Sequence, residues 1–192
     1  MMIRGLGIGA LICSIFGCIW MLAAISFIDN ERINLLPKVA LGFGVLLIAS
    51  AVPIIAMPAK KQPKSDAWTR RAKRLQIVNA VQWSSIAAAI LLLNITHRVA
   101  LIPWVISVIV GIHFLPWGAI LRLTSYQLLG AAILALDLAA LILPSETHRA
   151  FVAAGTGLAL FCASCYWVLK AWIACSRHAP LHTGANQSSE GV

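Results

Sequence analysis

The chain is 192 residues long, 60% hydrophobic and 11% charged, with a net charge of +9 and a mean hydropathy of +0.89. A soluble domain is about a quarter charged, so an ordinary water-facing fold is excluded, and the apolar stretches require lipid as their solvent. An all-α polytopic membrane protein is expected, because barrel strands are half the length of these runs and alternate polar with apolar residues.

A span needs roughly 20 apolar residues, since the hydrocarbon layer is about 30 Å thick and a helix rises about 1.5 Å per residue. Six stretches qualify, at 5–27, 36–57, 75–94, 99–119, 125–144 and 150–172. They predict a single six-helix transmembrane bundle over 1–173, a basic loop at 58–74 and a flexible tail at 174–192. Arg4 and the small pair Ala23-Ala24 give the first span some signal-peptide character. Its apolar run of about 23 residues nevertheless exceeds the 7–15 of a signal core, so it reads as a retained span.

Orientation follows from Lys and Arg in short loops, which resist export. The basic loop holds Lys60, Lys61, Lys64, Arg70, Arg71, Lys73 and Arg74; with Arg4, Arg122, Lys170 and Arg177, one face carries 11 of the 15 basic residues. Arg32, Lys38, Arg98 and Arg149 share the other face with Asp29, Glu31 and Glu146. Both termini are therefore expected in the cytoplasm. The basic loop is expected to bind anionic headgroups, and nucleic acid is not needed to explain it. Asp66 can cap a helix running through Arg70, Arg71 and Arg74 into the third span. Trp117 and Trp172 fall near the inner surface and Trp20 and Trp104 near the outer one, as interfacial indoles do.

An ionisable side chain at mid-membrane costs at least about 2.5 kcal/mol, which makes each one a site hypothesis. Asp137 is the acid placed inside a span, ~18 Å from its inner end, and His113 lies ~9 Å from the inner end of span four. The two are therefore not expected in contact. At the depth of His113, span three offers Asn79 and Gln82 at ~6 and ~10 Å, on one helical face. His113, Asn79 and Gln82 form the expected polar cluster, joined from below by Tyr126 and Gln127. Pro116 cannot bond the Ile112 carbonyl, which leaves an acceptor beside the imidazole; the competing reading ends the span at Pro116 and puts His113 among the headgroups. Asp137 is expected at the depth of Thr156, either in a structural hydrogen bond or as a cation- or proton-coupling site.

Cys13, Cys18, Cys162 and Cys165 lie in spans one and six. The C-x-x-C at 162–165 lacks the helix N-terminus that activates a redox thiol, so packing is the expected role. Cys175, His178 and His182 are spaced like metal ligands but fall in a tail of disordered composition. No catalytic set, metal site or cofactor is predicted. Gly5, Gly9, Gly42, Gly44, Gly155 and Gly157 mark close helix approaches, and Pro53 a bend in span two. Two three-span halves would have inverted topology.

The segment Gly111-Ile112-His113-Phe114-Leu115-Pro116, followed by a span rich in small residues, resembles a motif in uncharacterised bacterial families of small multi-spanning membrane proteins. The resemblance implies a bacterial inner-membrane location and gives weight to His113; it brings no activity. The leading functional reading is a bundle that binds or moves a small solute or ion through Asp137, Thr156 and the His113–Asn79–Gln82 cluster. The alternative is a non-catalytic component that packs against a second copy or another membrane protein, or organises lipid. An enzyme ranks last, because the short loops hold almost none of the clustered acids, His or Ser that chemistry needs.

Overall fold

A computed structural model describes residues 2–27, 35–56 and 66–176. Lys60, Lys61, Lys64, Asp29, Glu31, Arg32, Arg177, His178 and His182 lie outside the described residues. The described chain is helical and contains no strand: α1 (Met2–Ser26), α2 (Leu35–Ala56), α3 (Asp66–Ile95), α4 (Ile102–Leu121), α5 (Thr124–Ala140) and α6 (Ser145–Ser176), with a 3-10 turn at Val99–Leu101 leading into α4. Five of these helices, all but α5, are long and apolar enough to cross a membrane, which marks the chain as a membrane protein. α5 is apolar too but has only 17 residues.

α3 begins at Asp66 and continues without a break to Ile95. Its 30 residues span ~45 Å at the α-helical rise, well beyond a ~30 Å hydrocarbon layer. The first turns, with Arg70, Arg71, Lys73 and Arg74 all exposed, are therefore a helical continuation of span three.

Helix ends follow from local chemistry. α3 and α4 both close in a Schellman arrangement with a residue in the left-handed region, His97 (φ 55°) and Arg122 (φ 57°). At the first, Arg98 N–H donates to Leu93 O over 2.8 Å and His97 N–H to Asn94 O over 3.1 Å; at the second, Leu123 N–H reaches Gly118 O at 2.9 Å. These bonds satisfy carbonyls that a helix end otherwise leaves open. α5 stops at Ala140 although 141–143 are as apolar as the helix itself. Pro144 lacks an N–H and disfavours helical geometry in the residue before it. The amides of Leu141, Ile142 and Leu143 instead reach back three residues, at 3.2, 3.4 and 3.0 Å.

α1 and α6 form the most intimate pair. Small residues permit the approach: a Cβ on Gly17 would stand 2.8 Å from the Phe161 ring, and one on Gly157 2.9 Å from Met21. Between them Ser14 and Ser164 share a 2.7 Å contact and both reach the Ala10 carbonyl at 2.9 Å. α2 packs on α1 and α6, with the Cys18 thiol seated against Gly44. α5 lies between α4 and α6, and α4 and α5 meet through Gly111 and Gly130. α3 packs on α4 and buries no residue of its own. Its half-exposed positions Leu75, Asn79, Gln82, Ile86, Ala89 and Leu93 repeat at alternating steps of four and three, the seam of a two-helix packing. The pairing repeats under a shift of three helices, α1 with α2 matching α4 with α5 and α6 on α1 matching α3 on α4. The match is incomplete, because α6 also packs on α4 and α5 whereas α3 has no comparable packing on α1 or α2.

Candidate functional site

The unclosed side of α3 leaves a cleft of about 570 Å³ with α4 as its floor and α1 and α3 as its walls. α1 contributes one face, from Gly9 through Ile12, Phe16 and Ile19 to Ala23; α3 contributes Asn79, Gln82, Trp83 and Ile86; and α4 contributes the face from Ile102 to Trp117. The volume falls in the range of small-molecule sites, roughly 300–1,000 Å³. Nearly all of the lining is carbon.

Polar groups on this surface are few and close to one another. His113, Asn79 and Gln82 all line the cleft, so the structure brings the expected cluster to one place. No hydrogen bond joins the three side chains among the described residues. Among the described residues His113 Nδ1 is buried without a partner, as is the Trp117 indole N–H. Pro116 sits inside α4, which runs on to Leu121. His113 is thus held within the helix rather than beyond its end. An aromatic stack supports it: the imidazole lies 5.5 Å from the Trp117 ring and 6.0 Å from Phe114, Tyr126 packs 5.9 Å from Trp117, and Trp167 packs 4.4 Å from Tyr126. Trp167 is itself fixed by donating to Ser125 Oγ at 3.1 Å. Tyr126 reaches the cleft floor, close over Gly9. Gln127 packs instead against Gly118 on the α4–α5 face and does not line the cleft.

Asp137 occupies a separate site. It is 2% exposed and does not line the cleft. With α5 ending at Ala140, it stands in the last turn of its helix rather than at mid-span. Its backbone carbonyl, which the helix end leaves open, accepts the Trp104 indole N–H at 3.1 Å. Among the described residues neither carboxyl oxygen meets a partner at good hydrogen-bond geometry. Thr156 is fully buried at the same junction, but its hydroxyl pairs with Ser107 Oγ at 2.7 Å. Ser107 lies beside the Asp137 carboxyl. Asp137, Ser107 and Thr156 thus come from α5, α4 and α6 and meet where the three helices do.

The sequence reading did not single out Ser107, and it took Trp104 as an interfacial indole without foreseeing its bond to the Asp137 carbonyl. Ser107 is the lone hydroxyl in the α4 apolar run, and that isolation is the signal that could have found it. Trp20, expected at the membrane surface, is 8% exposed and faces the cleft with Trp117. Of the basic residues expected at headgroups, Arg70, Arg71, Lys73 and Arg74 form the exposed start of α3. Cys13 is buried, Cys162 is exposed, and Cys13, Cys18, Cys162 and Cys165 are free thiols. Among the described residues no group of three or more His, Cys, Asp or Glu side chains is placed to hold a metal ion.

No protein-family model, curated protein or solved structure matches the chain.

Proposed function

We propose that this protein is a membrane-embedded binder of a small amphiphile, a solute with a mostly apolar body and one or two hydrogen-bonding groups, taken from the lipid phase through the α1–α3 cleft. The supporting observation is the cleft itself: a large apolar space whose few polar groups, His113, Asn79 and Gln82, converge from two helices. An apolar body would fill the walls, and the unpartnered His113 Nδ1 and the two carboxamides would receive the polar end. A water-filled ion path would need polar residues repeated along several faces, and the cleft walls do not supply them. In this reading α5 is the sixth span, both termini are cytoplasmic, and the protein belongs to a bacterial inner membrane. The basic start of α3 rests on anionic headgroups at the mouth of the cleft. Movement of the solute across the bilayer is the natural extension of binding it between helices.

The test uses the wall tryptophans, Trp20, Trp83 and Trp117, as reporters. A single-chain amphiphile carrying bromine atoms, titrated into the detergent-solubilised protein, should quench them with a saturable component. Ile106→Trp, which fills the cleft, should remove that component, and Gln82→Ala or His113→Ala should weaken it. Quenching that rises linearly with amphiphile mole fraction and is equal in all variants would show only general contact with detergent and refute the proposal.

A further inference from the structure

We infer that Asp137, Ser107 and Thr156 form a binding site for a single monovalent cation, a proton or an ion of the Na⁺ class. This site lies outside the cleft and does not rest on the amphiphile reading.

The geometry carries the argument. Three helices bring four side-chain oxygens together in a place closed to solvent, with Asp137 2% exposed and Ser107 and Thr156 fully buried. A buried carboxylate short of partners is among the most unfavourable groups a protein can hold; among the described residues neither oxygen of Asp137 meets a partner at good hydrogen-bond geometry, and the Ser107 hydroxyl is the donor beside it. The residue also stands in the C-terminal turn of α5, where the helix dipole disfavours negative charge. Among the described residues no Lys or Arg compensates it. Along the surrounding helices the charged or titratable groups nearest in sequence are Cys162, six residues from Thr156, and Arg149 and His148, two turns from it, on α6, His113 on α4, six residues from Ser107, and Tyr126 on α5, eleven residues away. Arg149 is turned instead over the Phe27 ring at 5.4 Å.

Unlike the paired Ser14 and Ser164, which both also donate to the Ala10 carbonyl, the two hydroxyls here have no backbone acceptor among the described residues. Ser14, Ser50 and Thr96 each donate to a carbonyl one turn back in their own helix, at 2.9, 2.7 and 2.8 Å. Ser107 and Thr156 do not; they face each other at 2.7 Å. Two hydroxyl hydrogens serve this one contact, so one O–H and several lone pairs remain beside the carboxyl. Those groups can donate to a carboxylate, accept from a carboxylic acid or ligate a small cation. The Trp104 ring, bonded to the Asp137 carbonyl and 6.5 Å from the His148 ring, closes the site from the end of the bundle that carries Arg98 and Arg149.

The experiment is carbodiimide modification of the full chain in detergent, read by mass spectrometry of the peptide that contains Asp137. A carbodiimide adds to a protonated carboxyl in apolar surroundings, so Asp137 should be labelled and exposed Asp66 should not. Labelling should fall as pH rises, because only the protonated carboxyl reacts. Protection by NaCl but not by choline chloride would identify the occupant as Na⁺-class; equal labelling in both salts would identify it as the proton. Ser107→Ala and Thr156→Ala should each change the labelling rate about threefold, the factor matching a membrane interhelical hydrogen bond of ~0.6 kcal/mol. The inference is overturned if Asp137 stays unlabelled in the folded protein, if its labelling ignores pH and Na⁺ alike, or if either hydroxyl variant labels as the wild type does. The readout is on wild-type Asp137, so poor folding of an Asp137→Asn control leaves the test intact.

Discussion

Trp104→Phe removes one hydrogen bond while keeping a ring in the same place. The indole N–H donates to the Asp137 carbonyl across 3.1 Å. A helix leaves its last four carbonyls without intrahelical partners, and in α5 those of Leu138, Ala139 and Ala140 are met by the amides of Leu141, Ile142 and Leu143. Asp137 O is the one that depends on another helix. Orphaning a buried acceptor costs ~1–3 kcal/mol in water-soluble proteins, whereas interhelical bonds measured in membranes average ~0.6 and reach ~1.7 kcal/mol. Trp104 is half-buried at one end of the bundle, so the membrane figures apply, and a loss of about 1 kcal/mol is expected. Trp172→Phe is the control, since Trp172 is 46% exposed and loses the same atoms. Unfolding in detergent should separate the two variants by that amount. Amide exchange should also accelerate at 141–143, where the last turn of α5 loosens. Equal stability of the two variants, or faster exchange confined to α3, would refute the argument that Trp104 secures the end of α5.

Other consequences are as direct. Ser14→Ala and Ser164→Ala act on one shared carbonyl, Ala10 O, so the double variant should be less destabilised than the two singles summed, with a coupling of ~0.6–1.7 kcal/mol in a double-mutant unfolding cycle. Gly130→Ala places a Cβ 2.6 Å from the Gly111 carbonyl; backbone cannot step aside, so α4 and α5 must separate at a cost of about 1–3 kcal/mol. Gly42→Ala meets nothing within 4 Å and should be neutral or gain up to about 1 kcal/mol of helix stability, measured in the same unfolding assay. His97→Gly relieves a left-handed residue at φ 55° and should stabilise the protein by about 1 kcal/mol, visible as a higher unfolding temperature.

What could be read from the residues divides along a physical line. The helical rise is constant, so counting from span ends placed His113, Asn79 and Gln82 at compatible depths, and the structure finds all three on one cleft. Lateral pairing is not written in hydropathy. That α3 packs on α4 and leaves α1 uncovered depends on which apolar stripes fit together, so the cleft itself was not legible. Trp20 was misread for a related reason: its position near a span end looked interfacial, yet α1 continues for six residues beyond it and the indole faces inward. Asp137 was placed at mid-span because 141–143 are apolar enough to pass as helix, although Pro144 already signalled that α5 would stop short, three residues after Asp137.

Its place in the last turn of α5 changes how Asp137 is understood. Five residues from the first residue of α4, Ser107 lies ~7.5 Å along its helix; three residues from the last residue of α5, Asp137 lies ~4.5 Å along its own. Because α4 and α5 run antiparallel, these are neighbouring levels at the same end of the bundle, and the ruler that aligned His113 with Asn79 aligns Asp137 with Ser107. His113 and Ser107 are six residues apart on α4, about 240° around the helix at 3.6 residues per turn, so the cleft and the Asp137–Ser107–Thr156 junction occupy different faces of one helix. A variant that fills the cleft, Ile106→Trp, should therefore leave carbodiimide labelling of Asp137 unchanged unless α4 itself moves. Ile106 is adjacent in sequence to Ser107 but points into the cleft. If Ile106→Trp altered both amphiphile quenching and Asp137 labelling, the two sites would be coupled through a displacement of α4. If it altered quenching alone, they would be independent.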